Sequence, residues 1–159
     1  MTRGYAAIGL YAPKTEPNVG GALRAAMCYG AAMVAIQGGR YRRMSTDTMA
    51  AYRHIPLVHG TLLDLIPFDC VPVAVELNDR AKPLTTYPHP PRAFYIFGPE
   101  DGDVPTEILA KCRDVVQVPT RFCMNLAATV NVLLYDRLVK RTREAATIQG
   151  VQMRAVESL

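Results

Sequence analysis

The chain lacks the marks of a secreted, metal-bound or membrane-spanning protein. Its four cysteines, Cys28, Cys70, Cys112 and Cys123, stand far apart with no C-x-x-C pair. They offer neither metal-ligand spacing nor a disulfide framework, so a reduced, cytoplasmic protein without a bound metal is expected. No apolar run reaches membrane-spanning length. Met1-Thr2-Arg3-Gly4 leads straight into a short strand-like stretch instead of a signal-peptide core. His54, His59 and His89 share no motif and read as surface or packing residues. Two phosphate-binding fingerprints are also absent. The segment around Gly20-Gly21 lacks the Lys-Ser/Thr ending of a P-loop, and its glycine spacing is wrong for G-x-G-x-x-G.

What remains is rich in core material. Half of the 159 residues are apolar and 20% are charged, enough to bury one full core. The mean hydropathy of +0.06 is high for a small soluble monomer and implies apolar surface covered by a partner chain. A net charge of +4 and a pI near 9.0 suit a nucleic-acid partner without requiring one. The charge is concentrated where Arg40, Arg42 and Arg43 surround Tyr41, a basic cluster with one ring able to stack.

The short apolar stretch 5–11, closed by Ala12-Pro13, predicts a buried strand. Asn18 offers a helix N-cap, Val19, Leu23, Ala26 and Met27 follow at helical spacing, and Gly30 gives a natural stop. Further strands are expected over 33–36, 55–58, 71–77, 93–97 and 115–118, with short helical segments near 46–52, 61–66 and 106–112. Residues 81–92 read as a proline-rich connector. The longest helix is expected from Asn125 to about Arg143, with Leu126, Val130, Leu133, Leu134 and Leu138 in one apolar stripe. A single domain over 1–143 would then be followed by a tail, 144–159, either helical or frayed. Alternating strands and helices point to an α/β fold, a mainly parallel sheet flanked by helices.

Ligands of open α/β sheets bind beyond the carboxyl ends of strands, and three such ends carry unusual residues. Asn18 to Arg24 pairs two glycines with a charge; taken alone it reads first as a capped helix with glycines for close packing. Phe97 to Pro105 sets glycines around acids, either for close backbone approach to a ligand or as a turn whose acids suit a helix dipole. Val118 to Asn125 leads into the long helix, where Asn125 reads equally as a plain N-cap.

Taken in order, N-x-G-x-x-x-R, F-G-P-E-x-G-x-x-P, and V-P followed by C-M-N-L and L-L-Y-D resemble three signature motifs of one family. That family is the SpoU-type (TrmH) class of SPOUT RNA methyltransferases. The resemblance spans residues 9–141, and the F-G-P-E and M-N-L strings look most like the small tRNA wobble-position (cytidine/uridine) 2′-O-methyltransferases. It implies a C-terminal deep trefoil knot, an exception to the rule against threading. It also implies loops converging on a bent S-adenosylmethionine, and a homodimer packed through the first and last helices.

By position, Leu77, Gly98 and Val118 would hold the adenosyl portion through backbone groups. Glu100 and Gly102 belong to the same cofactor signature, and Cys123 and Met124 to the loop that closes the site. Arg24, Asn18 and Asn125 would be catalytic. A guanidinium is too basic to deprotonate a ribose at neutral pH, so Arg24 is expected to place the ribose and stabilise developing alkoxide charge. Arg40, Arg42, Arg43 and Arg121 would meet RNA phosphates, and Tyr41 would stack on a base. No metal is required. The expected acceptor is a tRNA anticodon loop, because the chain begins at its first strand without the extra domain of larger ribosomal-RNA enzymes. Ribosomal-RNA or base methylation on this fold, and a non-catalytic knotted RNA-binding module, are the competing readings. Cys123 departs from the serine usual in close relatives, and a thiol is the weaker hydrogen-bond partner.

Overall fold

Strands that are apolar at consecutive positions, instead of alternating ones, call for a sheet covered on both faces. The computed structural model describes residues 4–40 and 51–157. Its strands are β1 (Tyr5–Tyr11), β2 (Val34–Gln37), β3 (Leu57–His59), β4 (Val71–Val75), β5 (Lys82–Pro83), β6 (Arg92–Phe97) and β7 (Asp114–Gln117). They form one sheet in the order β3-β2-β1-β6-β4-β7-β5, with every pairing parallel. Three helices join them: α1 (Glu16–Tyr29), α2 (Thr106–Leu109) and α3 (Leu126–Glu157).

The central pair β1 and β6 divides its side chains between two cores. Ile8, Leu10, Tyr95 and Phe97 pack on the side of α1 and α3, while Ala7, Phe94 and Ile96 meet Leu62, Val104 and Ile108 opposite. Each large apolar side chain buried this way contributes about 1.5–3 kcal/mol. Leu133 and Leu134 are buried in the first core, so these two face the chain's own sheet. The same crossing explains a glycine of the first motif: a Cβ on Gly21 would lie 2.6 Å from the Cβ of Ala127, so glycine lets α1 and α3 approach.

Four local expectations change. Thr15, not Asn18, occupies the N-cap position of α1, with extended φ of −119° and Pro17 in the first turn. Asn18 is therefore inside the helix and buried, leaving its amide for other partners. The connector 81–92 contains the two-residue β5 and a 3-10 turn, Leu84–Thr86. Helix α2 is four residues long, shorter than expected, while 61–66 hold the helical turn expected there, the Leu65 N–H donating to the Thr61 carbonyl. Helix α3 passes residue 143 and runs to Glu157, 32 residues in all. The helix expected near 46–52 falls largely outside the described residues.

A buried polar cluster fastens α3 to the sheet. The Arg137 guanidinium donates to the carbonyls of Pro90 at 2.7 Å, Pro91 at 2.8 Å and Tyr5 at 3.2 Å, and to the Tyr95 hydroxyl at 3.0 Å. His89 sits between that hydroxyl and the Asp136 carboxylate. Among the described residues no helix is long and apolar enough to cross a membrane.

Candidate active site

The carboxyl ends of β4, β6 and β7 open onto a cleft of about 250 Å³. Parallel strands bring three loops to one sheet edge, so residues distant in sequence share its walls. Leu77 lies just past β4, Gly98, Glu100 and Gly102 just past β6, and Val118, Cys123 and Met124 between β7 and α3. All seven residues expected around a cofactor therefore line the same cleft. Val75, Phe97 and Leu126 supply apolar wall, and Glu76, Glu100 and Asp103 supply carboxylates.

One wall is held by a chain of side-chain hydrogen bonds linking all three motifs. The amide nitrogen of Asn125 donates to Oδ1 of Asn18 at 2.6 Å, and the amide nitrogen of Asn18 donates to Oε1 of Glu100 at 2.5 Å. Glu100 also accepts the backbone N–H of Lys14 at 2.9 Å and weaker bonds from Thr15. Burial pushes the Glu100 carboxyl up, but the bonds from Asn18 and these backbone groups outweigh it and leave the group below its ordinary range. Asn125 serves a second purpose, since its Oδ1 accepts the N–H of Ala128 at 3.2 Å and caps α3. The capping reading holds for this residue, and the same amide also reaches Asn18.

Glu76 went unnoticed in the sequence, although a carboxylate ending an apolar strand was a usable signal. Its Oε1 accepts the N–H of Leu77 and its Oε2 the N–H of Val104, each at 2.9 Å, tying the end of β4 to the loop after β6. Gly98 lies against this brace. A Cβ there would be 3.1 Å from the Val104 nitrogen and 3.2 Å from Glu76 Oε2, so glycine keeps the loop in place.

Among the described residues, none of the arginines singled out in the sequence lines the cleft. Arg24 is exposed on α1 and does not line the cleft. Arg40 is paired: its guanidinium meets Asp101 at 2.5 and 3.2 Å and the Ala12 carbonyl at 3.1 Å. Lys14 joins at 3.3 Å, and Arg40 with Lys14 holds the Asp101 carboxyl well below the usual carboxylate range. This ties the start of the basic segment to the loop after β6. Tyr41, Arg42 and Arg43 lie outside the described residues. Arg121, on the loop between β7 and α3, stacks its guanidinium over Phe122. Among the described residues no three His, Cys, Asp or Glu side chains are grouped to hold a metal ion.

Solved structures share this architecture. The SpoU methyltransferase AviRb from Streptomyces viridochromogenes superposes with a TM-score of 0.75 at 14% identity, over 88% of this chain and 61% of that one. An AdoMet-bound rRNA methyltransferase from Sinorhizobium meliloti gives 0.73 at 19% identity, over 84% of this chain and 56% of that one. The chain thus spans roughly three fifths of the length of these two relatives. A protein described for 2-OH methylation of C/U34 on tRNA gives 0.70 at 20% identity, over 84% of this chain and 94% of that one. Comparison with curated proteins gives no match. Residues 5–135 match the SpoU rRNA Methylase family. On that match, which takes in the first two motifs, the third as far as Tyr135 and every wall of the cleft, the chain belongs to the SpoU rRNA methylase family.

Proposed function

We propose that this chain transfers the methyl group of S-adenosylmethionine to a ribose 2′-hydroxyl in a tRNA anticodon loop, acting as a cytoplasmic homodimer with a knotted cofactor site. The observation that carries the reading is the hydrogen-bonded chain Asn125–Asn18–Glu100, which fastens three motifs into the wall of one cleft. The cleft suits the cofactor, with apolar wall from Val75, Phe97 and Leu126 for a heterocycle and carboxylates for a cationic centre. Bound there, S-adenosylmethionine supplies an electrophilic methyl group on a sulfonium.

The chain's own residues then have distinct tasks. Backbone groups at Leu77, Gly98 and Val118 hold the adenosyl portion, and the Glu76 brace keeps the first two of these loops in register. The Asn18 and Glu100 bonds fix the loop after β6 against α1, so that orientation is set before substrate arrives. Arg24 places the ribose and stabilises negative charge developing on its oxygen.

Arg24 does not line the cleft of its own protomer, and under this reading a second copy completes the site. The surface provides for one. Helix α3 exposes Val132, Tyr135 and Leu138, and Tyr135 meets Tyr29 of α1 edge-on. Val132, Tyr135, Val118 and Pro119 line an apolar groove of about 200 Å³. Val118 lines both the groove and the cleft, so a second copy seated on this face adjoins the cofactor. Leu133 and Leu134 of the same helix are buried against the chain's own sheet and take no part in this face.

Mass spectrometry of nucleosides from the tRNA of a strain lacking the gene, against its parent, tests the reading. Loss of one 2′-O-methylnucleoside is expected; an unchanged set of ribose methylations contradicts it.

A further inference from the structure

The loop between β7 and α3 carries an aromatic ring that the core does not use. Phe122 is 76% exposed, although its neighbours Thr120, Cys123 and Met124 line the cleft. The backbone that carries it is tied down: the Thr120 hydroxyl donates to the Phe122 carbonyl at 2.8 Å. The Arg121 guanidinium lies 5.5 Å from the ring centroid, placing positive charge beside an exposed π-face. An exposed phenyl ring gains nothing from water, and this one, with a cation against it, sits on a loop whose flanking residues line the cleft.

A nucleotide presented for methylation must bring its ribose to the cleft, which leaves its base at the mouth. Unpaired bases are held in RNA-binding proteins by stacking on aromatic rings and guanidinium planes, with phosphates met by nearby arginines. We infer that Phe122, with Arg121, is the platform on which the unpaired base of the acceptor nucleotide stacks. This rests on the reading of the chain as an RNA methyltransferase and adds to it how the substrate is seated. Stacking on a phenyl ring is tolerant of base identity, so the platform selects unpaired nucleotides over paired ones and leaves the choice among bases to other contacts.

The chain has no tryptophan, so Phe122→Trp introduces a single fluorescent reporter at the platform. Phe68 is 93% exposed and its carbonyl accepts a bond from Arg92 at the start of β6, the end of the sheet away from the cleft. Phe68→Trp is therefore a matched control. Each variant is titrated with tRNA from a strain lacking the gene, and with inorganic polyphosphate as a polyanion without bases. The expected result is quenching of the residue-122 reporter by tRNA but not polyphosphate, and no quenching at residue 68. In parallel, Phe122→Leu should raise the KM for tRNA about tenfold or more, with unchanged affinity for S-adenosylmethionine, while Phe122→Tyr restores the wild-type KM. Absence of tRNA quenching at residue 122, equal quenching at residue 68, or an unchanged KM in Phe122→Leu overturns the platform. Methyl incorporation by the wild-type protein, measured on the same tRNA, separates the two failures. Normal incorporation without quenching removes the platform alone, and absent incorporation removes the underlying reading with it.

Discussion

Asn18 and Asn125, 107 residues apart, are joined amide to amide at 2.6 Å, so the first and third motifs meet directly. The second motif joins through Glu100, which accepts from the same Asn18. Each asparagine uses both ends of its amide, one toward the other motif and one toward a second partner.

Removing either asparagine should therefore loosen the same unit. Asn18→Ala deprives Glu100 of its shorter side-chain donor, leaving the weaker Thr15 hydroxyl, removes the acceptor of Asn125, and should cost about 1–3 kcal/mol of stability. Asn125→Ala loses the α3 cap as well, worth about 1 kcal/mol. In chemical denaturation the double variant should lose less than the sum of the two single losses, because one bond is shared. Strict additivity would show that the two residues act independently.

The buried histidine predicts a pH response. His89 Nδ1 lies 2.7 Å from the Tyr95 hydroxyl and Nε2 lies 2.8 Å from Asp136 Oδ2. Burial favours the neutral ring and holds its pKa below the ordinary 6.5; Asp136 opposes this, while Arg137 and Lys140 add to it. The unfolded chain thus takes up the proton first as pH falls. The stability this contributes is complete above the unfolded value and is lost as pH drops below it through the folded-state pKa. Melting temperatures measured from about pH 7 to about pH 5 should fall more steeply for the wild type than for His89→Gln. Parallel slopes would mean that His89 is not the titrating group.

Much of this arrangement was legible in the sequence, for physical reasons that differ by element. Strands β1 and β6 showed as apolar runs because they are buried on both faces, and the three motifs mark loops that parallel strands bring to one edge. Asn18 was misplaced because a good capping residue lies three positions beyond Thr15, and Pro17 was the better sign of a first turn. The edge strand β5, Lys82–Pro83, has no apolar signal to show. Helical periodicity found the stripe on α3 but not its partner: Leu133 faces the chain's own sheet, whereas Leu138 is 47% exposed. The Arg40–Asp101 pair spans 61 residues and depends wholly on the folded geometry.

The two sides of α3 should separate in mutagenesis. Val132→Glu with Leu138→Glu places charges on the exposed face and should give folded monomers by light scattering. Leu133→Glu buries an unpaired charge in the core at a cost of several kcal/mol, and should give unfolded or insoluble protein. Dimers that survive the Val132 and Leu138 changes would place the interface elsewhere.

Two arginines should fail in different ways. Arg24→Ala should fold and bind S-adenosylmethionine normally, yet lose about a hundredfold in turnover, the scale for one preorganised donor. Arg24→Lys should recover little of it, since an ammonium lacks the guanidinium fork. Arg40→Ala leaves the Asp101 carboxylate to Lys14 alone, and should chiefly raise the KM for tRNA and reduce its salt dependence. Single-turnover assays with labelled methyl donor distinguish the two. Near-normal turnover in Arg24→Ala would remove that residue from the chemistry.

The central claim is that a ribose oxygen of RNA receives the methyl group. Its most direct test uses purified protein, tRNA from a strain lacking the gene, and S-adenosylmethionine carrying a deuterated methyl group. The tRNA is then digested to nucleosides and the label located by tandem mass spectrometry. The account predicts a single 2′-O-methylnucleoside with the deuterated methyl on its sugar fragment. Label on a base fragment, or no labelled nucleoside from an enzyme shown by calorimetry to bind the donor, would contradict it.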